Sequence, residues 1–345
     1  MTEAASLSSH LAEWIAADRR RIDVTRTIAA LAEAGRAIAD LVQLGPLAGD
    51  LAQVLRDNAA GDAQKTLDVL SHKIVADHLA QAPVAVLGSE ESDEPIYLDP
   101  EAPLAVAVDP LDGSSNIDTN ISVGTIFTIL PAIKDAPEAS LLQPGTRQLA
   151  AGFLIYGPQV ALVLTLGHGT HIFVLDRRSG VFIQTDAGMQ VPLGTSEFAI
   201  NASNERHWPL PVRNYIDDCL AGVEGPRGKD YNMRWVASMV ADAFRILRRG
   251  GIYLYPADTR KAYRNGRLRL VYEANPIAFL MEQAGGSATD GRDRILERIP
   301  THLHEHTALV FGSRDKVERV AQHYAMPAHM ADRAPLFAPR GLLRA

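Results

Sequence analysis

Cysteine is almost absent from this 345-residue sequence, in which Cys219 is the only one. A lone cysteine excludes an intramolecular disulfide and a cysteine-rich zinc site, and it suits a reducing compartment. No apolar segment reaches the roughly 18 residues that a membrane span needs. Residues 1–20 contain early acidic residues and no apolar signal-peptide core. We therefore expect a cytoplasmic protein with no membrane partner.

Positive charge is also in deficit. Lysine and arginine number 34 against 41 aspartates and glutamates, which gives a net charge of −7. Proteins that bind nucleic acid are expected to carry a basic patch, and the only basic cluster here is "DRRR" at residues 18–21. We interpret this cluster as a solvated helix face and expect no nucleic-acid partner. The chain has no repeats, and its length favours two domains or one large one.

The first 80 residues predict three helices. An apolar stripe begins after Asp23, a good N-cap residue, and ends before Gly45 and Pro46. A second helix carries Leu51, Val54 and Leu55, and a third covers residues 66–80. The inward positions of the first and third helices are Val24, Ile28, Leu31, Ile38 and Val42, and Leu67, Leu70, Ile74 and Val75.

Strands dominate the next hundred residues. Short β-branched runs bounded by turn residues predict strands at 83–88, 104–108, 123–130, 152–157, 159–167, 170–176 and 180–186. Beyond residue 190 we expect helices at 208–222, 234–251, 275–286 and 314–325, and strands at 251–256, 266–273 and 307–313. This alternation predicts a second set of α/β layers. The tail from Pro327 has no periodicity.

Acidic residues recur just past the apolar runs and on the third helix. Strand ends are where α/β proteins place their chemistry, and hard divalent cations prefer several carboxylate oxygens. Any one acidic pair is more often a capped turn, but several together favour a metal site. The candidates are Glu90 and Glu91, Asp109 and Asp112, Glu273, and Asp62 and Asp68.

The stretch "DPLDGSSN" at residues 109–116 could hold both a metal ion and a phosphate. Pro110 keeps Asp109 extended, and the turn that follows lets Asp112 return to the same centre, with the Leu111 carbonyl between them. Gly113 permits close backbone approach, and the N–H groups and hydroxyls of residues 113–116 can form an anion nest. The alternative is a solvated turn. A phosphate would need a cation here, because carboxylates alone repel it.

Taken together, these motifs resemble those of the class I fructose-1,6-bisphosphatases. "DPLDGSSNID" resembles their signature, within a superfamily of metal-dependent phosphatases that includes the inositol monophosphatases. Further matches follow in chain order and cover roughly residues 50 to 325: "GDAQKTLDVLS", "GSEE", "LQPG", "AAGFLIYG", "ASMVADAFRIL", "GGIYLYP", "GRLRLVYEANP" and "AGG". The resemblance implies an α/β fold, a layered α/β/α/β/α sandwich, and a homotetramer. We expect a metal- and catalysis-bearing domain at residues 1–195 and a sugar-phosphate-binding domain at residues 196–345.

The resemblance also implies roles for individual residues. Two or three Mg²⁺ ions, which Mn²⁺ or Zn²⁺ could replace, would be held by Glu90, Asp109, the Leu111 carbonyl, Asp112 and Glu273. The attacking water would be activated by Asp62, Asp68 and Glu91. The reacting 1-phosphate end would contact Asp112, Gly113, Ser114 and Ser115. The sugar and the 6-phosphate would be held by Asn201, Arg234 from a neighbouring subunit, Met239, Tyr253, Leu254, Tyr255 and Arg267.

Three positions depart from the family pattern around the 6-phosphate. Arg267 stands where lysine is usual, which keeps the charge but changes the geometry. Trp235 and Asn204 stand where tyrosines are common. We expect hydrolysis of fructose 1,6-bisphosphate at its 1-phosphate, in gluconeogenesis or the Calvin cycle. The departures leave open a sedoheptulose-1,7-bisphosphatase or a dual-specificity enzyme. A catalytically silent sugar-phosphate sensor is a less favoured alternative.

Regulatory features of the family are missing. The AMP-inhibited members carry a threonine- and glycine-containing loop after the first helix, a Lys-Tyr pair before the "DPLD" strand and an arginine where this chain has Pro131. Here the corresponding segments read "AALAEAGRAIADLV" and "PLAV". We therefore expect weak or absent inhibition by AMP. The lone Cys219 also excludes the redox switch of the chloroplast members, which needs paired cysteines.

Overall fold

A computed structural model describes residues 5–57 and 63–326 of the chain. In these residues the helices are α1 (Leu7–Ala17), α2 (Ile22–Leu44), α3 (Thr66–Leu79), α4 (Pro137–Leu141), α5 (Leu210–Leu220), α6 (Met239–Arg249), α7 (Asn275–Gln283) and α8 (Arg314–Ala325). The strands are β1 (Val54–Asp57), β2 (Ala63–Lys65), β3 (Val84–Ser89), β4 (Ile96–Tyr97), β5 (Leu104–Asp112), β6 (Val123–Pro131), β7 (Ala150–Tyr156), β8 (Val160–Thr165), β9 (Thr170–Asp176), β10 (Val181–Asp186), β11 (Glu197–Ile200), β12 (Asn232–Met233), β13 (Ile252–Tyr255), β14 (Leu268–Arg269), β15 (Ser287–Thr289), β16 (His306–Thr307) and β17 (Leu309–Gly312). Asp62 and the tail from Pro327 lie outside the described residues.

The first sheet has eight strands in the order β10-β9-β8-β7-β6-β5-β3-β4. Its neighbouring strands are antiparallel except for β3 and β5, which run parallel. Nearly every residue of the central strands β5 and β6 is buried, because both faces of the sheet are covered. Side chains alternate between the faces: Val106 and Val108 pack towards α2 and α3, and Ala105 and Ala107 face the other way.

The second sheet has five strands in the order β12-β11-β13-β17-β15. Strand β11 is parallel to both β12 and β13, and β17 is antiparallel to β13 and β15. Alternate residues of β13 again face different cores. Tyr253 packs between the two sheets, and Leu254 packs against α5 and α8.

Three large hydrophobic cores alternate with the two sheets, and a smaller cluster around Ala105 and Tyr272 lies beside them in the described residues. The first lies between helices α1 to α3 and the outer face of the eight-stranded sheet. The second lies between the sheets, around α6 and α7, and the third lies between the five-stranded sheet and the outer helices α5 and α8. The order of layers is therefore α/β/α/β/α, which confirms the predicted sandwich. No helix in the described ranges is long and apolar enough to cross a membrane.

Most predicted elements are confirmed, but the predicted second helix is wrong. Leu51 lies in a turn, and Val54 and Leu55 belong to β1, which pairs with β2 as an antiparallel hairpin. An apolar spacing this short does not distinguish a helical turn from a strand. Backbone pairing with residues 63–65 favours the strand.

Two other predicted boundaries also need correction. The helix expected at 234–251 begins only at Met239, because Ala237 has the left-handed backbone angle φ of 61°. The strand expected at 266–273 ends at Arg269, and residues Leu270–Ala274 form a π turn that leads into α7. Glu273 therefore lies on this turn and not at the end of a strand.

Candidate active site

The parallel pairing of β3 and β5 brings two acidic segments to one edge of the large sheet. Parallel strands end at the same edge, so residues that follow β3 lie beside the end of β5. The Glu90 N–H donates to the Val108 carbonyl oxygen at 3.0 Å, which holds Glu90 next to Asp109. The predicted neighbourhood of these two carboxylates is thus built by the sheet itself.

Glu273 joins them from the π turn before α7. One oxygen each of Glu90, Asp109 and Glu273 lies within 4.8 Å of the other two. Burial raises the pKa of Asp109 and of Glu273 well above the usual range, and repulsion from Glu90 raises both further. Three carboxylates cannot share a buried space as anions at low cost, so the group suits a hard cation with oxygen ligands.

Asp112 lies at the end of β5, past a register shift in its pairing with β6. Its Oδ2 atom accepts hydrogen bonds from the Val240 N–H at 2.9 Å and the Ser238 hydroxyl at 3.4 Å, at the N-terminus of α6. Burial raises the pKa of Asp112 to about 6 even though these bonds favour the ionised form. Leu111, between the two aspartates, donates its N–H to Asp109 Oδ1 at 2.9 Å. Asp112 thus connects the large sheet to the start of α6.

The turn that follows Asp112 in the sequence lies next to the start of α6 in the structure. Gly113 has a positive φ of 78°, and a side chain there would come within 3.3 Å of Ser238 Cβ. Ser114 and Ser115 begin a 3₁₀ turn over Ser114–Thr119. The Lys65 ammonium donates to the Ser114 carbonyl at 3.0 Å, so one cation supports this turn from β2. The turn therefore has the glycine conformation that an anion nest requires, and a lysine lies beside it.

Asp68 and Glu91 lie on the α3 side of the turn that follows β3. Asp68 Oδ2 accepts the Lys65 N–H at 2.6 Å, and its buried Oδ1 has no hydrogen-bond partner among the described residues. Glu91 accepts from the Gln64 amide at 2.6 Å. Burial raises the pKa of Asp68 to about 7, with a further contribution from the Glu91 charge. Asp68 can therefore exchange a proton near neutral pH.

An aromatic wall of Trp235, Tyr253 and Tyr255 borders a second pocket, which Tyr255 lines. The Tyr253 ring stacks on Trp235, with ring centroids 5.6 Å apart, and Tyr255 lies 5.8 Å from the same indole. Met239 and Tyr253 are buried in the core between the sheets. Burial raises the pKa of Tyr253, and Tyr255, Asp112 and Glu273 are among the charges that raise it further.

The second pocket is lined by both polar and apolar residues: Ile200, Asn201, Asn204, Trp208, Leu254, Tyr255, Pro256, Asp258 and Arg267. We call it the far pocket. Arg267 donates to the Tyr255 hydroxyl at 3.4 Å. The Leu254 side chain is fully buried in the core against α5 and α8. Arg234 is not among the lining residues; its Nε lies 3.7 Å from Glu197 Oε1 and half of its side chain is exposed.

Sequence reasoning missed several residues of the site. Arg269 is buried, its Nε lies 3.5 Å from Glu90 Oε1, and its backbone N–H donates to Glu273. The alternating "GRLRL" pattern predicts that two arginines share one face, but it does not predict that one is buried. Ser238 and Lys65 gave no signal, because their roles depend on contacts between distant segments.

Comparison with known proteins places this geometry in a family. Residues 11–187 match the model for the fructose-1-6-bisphosphatase N-terminal domain, and residues 191–325 match that for the C-terminal domain. A protein of Azorhizobium caulinodans named fructose-1,6-bisphosphatase class 1 is 57% identical over 92% of this chain and 99% of its own length. One of Sinorhizobium medicae with the same name is 54% identical over 99% of both chains. The crystal structure of Leishmania major fructose-1,6-bisphosphatase in holo form superposes with a TM-score of 0.87, at 34% identity over 94% of this chain and 100% of that one.

Proposed function

Because the chain belongs to the class 1 fructose-1,6-bisphosphatase family, we propose that it hydrolyses the 1-phosphate of fructose 1,6-bisphosphate. The products are fructose 6-phosphate and inorganic phosphate. One observation carries the proposal: partly buried Glu90 and buried Asp109 and Glu273 bring one oxygen each to within 4.8 Å of the other two. They lie at the edge of the sheet where β5 leads into the Gly113 turn.

The donor set fits Mg²⁺. All of its side-chain ligands are carboxylate oxygens, and the raised pKa values of Asp109 and Glu273 reflect a buried negative charge that a divalent cation would compensate. We propose that Glu90, Asp109, the Leu111 carbonyl, Asp112 and Glu273 hold two or three ions. When bound, Mg²⁺ supplies charge neutralisation at the phosphoryl oxygens and lowers the pKa of a coordinated water. Mn²⁺ and Zn²⁺ share this oxygen chemistry.

The chain's own residues bind the reacting phosphate and move the proton. The backbone N–H groups and hydroxyls of residues 113–115 can donate to phosphoryl oxygens, with the start of α6 nearby. Asp68 accepts a proton from the attacking water, because its pKa of about 7 leaves it partly ionised at neutral pH. Glu91 and Asp62 complete this proposed group, although Asp62 lies outside the described residues.

The far pocket would hold the phosphate that does not react. Tyr255 and Arg267 offer donors there, and Asn201 lies beside them. Binding energy at this remote end can be used to position the reacting phosphate. Met239 and Tyr253 would line the sugar between the two ends, and the Leu254 backbone would face the pocket. Arg234 is proposed to act from a neighbouring subunit of a homotetramer.

The test is phosphate release by the purified chain. Fructose 1,6-bisphosphate should be hydrolysed in the presence of Mg²⁺ and not after chelation, and Mn²⁺ or Zn²⁺ should restore part of the rate. Inositol 1-phosphate serves as a control, because it lacks a second phosphate for the far pocket. Release from no sugar bisphosphate under any of these conditions would contradict the proposal and favour a silent sensor.

A second substrate is favoured by one observation. Trp235 stacks on Tyr253 and lies against Tyr255, which lines the far pocket, so an indole without a hydroxyl forms part of the aromatic wall beside that pocket. This wall would suit a longer sugar as well as a six-carbon one. Parallel assays with sedoheptulose 1,7-bisphosphate decide between a single and a dual specificity.

A further inference from the structure

The loop after β13 carries an ion pair at the far pocket. The Nε atom of Arg260 donates to the two Asp258 oxygens at 3.2 and 3.0 Å. Its Nη2 atom also bonds to Asp258 and donates to Asn204 Oδ1 at 3.1 Å. Asp258 and Asn204 both line the far pocket. Arg260 therefore fixes two of the residues that form its wall.

A second guanidinium lies close to this pair. The Arg267 Cζ atom is 3.6 Å from the centroid of the Tyr263 ring, and the Arg260 Cζ atom is 4.7 Å from the same centroid. One tyrosine ring thus holds both arginines by cation–π contact. The ring, the Asp258 carboxylate and the Tyr255 hydroxyl together hold these two like charges close to each other.

The Asp258 carboxylate opposes phosphate binding in this pocket, because both groups are anions. Its side chain is only 6% exposed, while that of Arg260 is 31% exposed. Burial alone would raise the pKa of Asp258. The hydrogen bonds and the charge of Arg260, together with the charge of the nearby His207, outweigh burial and hold the pKa below its usual range. The carboxylate is therefore an anion on the pocket wall, and Arg260 is the group that neutralises it.

We infer that Arg260 sets the affinity of the far pocket for the unreacting phosphate of the sugar, by neutralising Asp258 and holding Asn204 in place. With Arg260 present, the Arg267 guanidinium in the pocket and the Arg260 guanidinium behind its wall stand against the one Asp258 carboxylate. Without Arg260, Asp258 cancels the charge of Arg267, and the pocket loses its net attraction for a phosphate dianion. Arg260 is thus a positioning residue that acts through Asp258. The inference depends on the proposed function, because it takes the ligand of the pocket to be a sugar phosphate.

The first experiment is Arg260→Gln in the full chain. We expect the KM for fructose 1,6-bisphosphate to rise about tenfold, with kcat changed by less than about twofold, because the residue does not touch the reacting phosphate. The Kd of fructose 6-phosphate, measured by calorimetry, should rise by a similar factor. The matched control is Arg178→Gln, since Arg178 makes the same two-residue pairing with Asp176 on a distant turn.

The second experiment separates charge from fold. Asp258→Asn should leave the KM unchanged or lower it, and the double variant Asp258→Asn/Arg260→Gln should return the KM to within about threefold of the wild type. A purely structural role for the pair would instead give a loss in every variant, because each one breaks the same hydrogen bonds. The double-mutant cycle formed by these variants and the wild type measures the coupling free energy between Asp258 and Arg260.

Three results would overturn the inference. The first is an unchanged KM and Kd in Arg260→Gln, and the second is a fall in its kcat as large as the rise in its KM. The third is a KM in the double variant that stays as high as in Arg260→Gln. Failure of the proposed function is distinguishable from these. If the wild type releases no phosphate but binds fructose 6-phosphate, the proposed activity is contradicted. The role of Arg260 can then still be tested by calorimetry. A wild type that neither releases phosphate nor binds fructose 6-phosphate overturns both.

Discussion

Replacing Asp68 by asparagine tests the proposed proton acceptor with little change in shape. Asparagine can still accept the Lys65 N–H that Asp68 now accepts at 2.6 Å, so the start of α3 should be preserved. The neutral amide cannot take a proton from water. We expect kcat to fall by about 10² to 10⁴, the usual contribution of a general base, with KM little changed.

The same substitution has a stability signature with a defined sign. The pKa of Asp68 rises from 3.8 to about 7 in the folded protein, so the folded state binds more protons than the unfolded state between these values. Stability from this group is therefore present at low pH and is lost as the pH rises towards 7. Ionised Asp68 costs the metal-free protein a few kcal/mol above pH 7. Asp68→Asn should then unfold at a higher temperature than the wild type at pH 8 and at a similar temperature at pH 4.

The assay combines initial rates between pH 5.5 and 9 with thermal unfolding in chelator. Asp77→Asn is the matched control, because Asp77 is exposed on the same helix. A kcat for Asp68→Asn within tenfold of the wild type would refute its role as the base. An equal melting temperature of the two proteins at pH 8 would refute the argument from burial.

Further predictions concern the metal site, the large sheet and inhibition by AMP. Asp109→Asn should raise the Mg²⁺ concentration for half-maximal rate at least about tenfold, and unchanged Mg²⁺ dependence in a titration would exclude Asp109 as a ligand. It should also raise the melting temperature in chelator, because it removes one of three repelling carboxylates. Gly124→Ala should destabilise the fold by about 3 kcal/mol or more, because a Cβ there would lie 2.3 Å from the Leu154 carbonyl oxygen; urea unfolding tests this, and a near-normal midpoint would contradict it. AMP should inhibit weakly or not at all, and micromolar inhibition in a steady-state assay would show that Pro131 and residues 103–106 do not prevent its binding.

The carboxylate group could be predicted from sequence because strand ends are easy to recognise. Glu90 and Asp109 each follow a short β-branched run, and parallel pairing then brings them to one edge. Glu273 could be predicted as a candidate ligand, but the backbone structure that carries it could not. Its approach depends on a π turn, and an apolar stretch such as "LRLVYE" predicts a strand equally well.

Contacts between segments distant in sequence could not be predicted in this way. Residues 235–238 read as the first turn of a helix, yet Ala237 is left-handed and the helix begins at Met239. Asp112, over a hundred residues earlier in the chain, accepts the Val240 N–H at that start. Asp258 and Arg260 look like an ordinary surface turn in the sequence. Only the packing of Asn204 and Tyr263 around them shows that the pair belongs to a pocket.

The buried Arg269 affects the order in which the chain folds and binds metal. Its buried guanidinium lies 3.5 Å from Glu90, and its N–H bonds to Glu273, so the polypeptide brings one counter-ion of its own to the carboxylates. A newly made chain can therefore close around this group before any metal ion arrives. We expect folding and metal loading to be separate events, with the metal-free protein a stable, storable form. Arg269→Gln should abolish that separation, and a chelator would then unfold the variant while leaving the wild type folded.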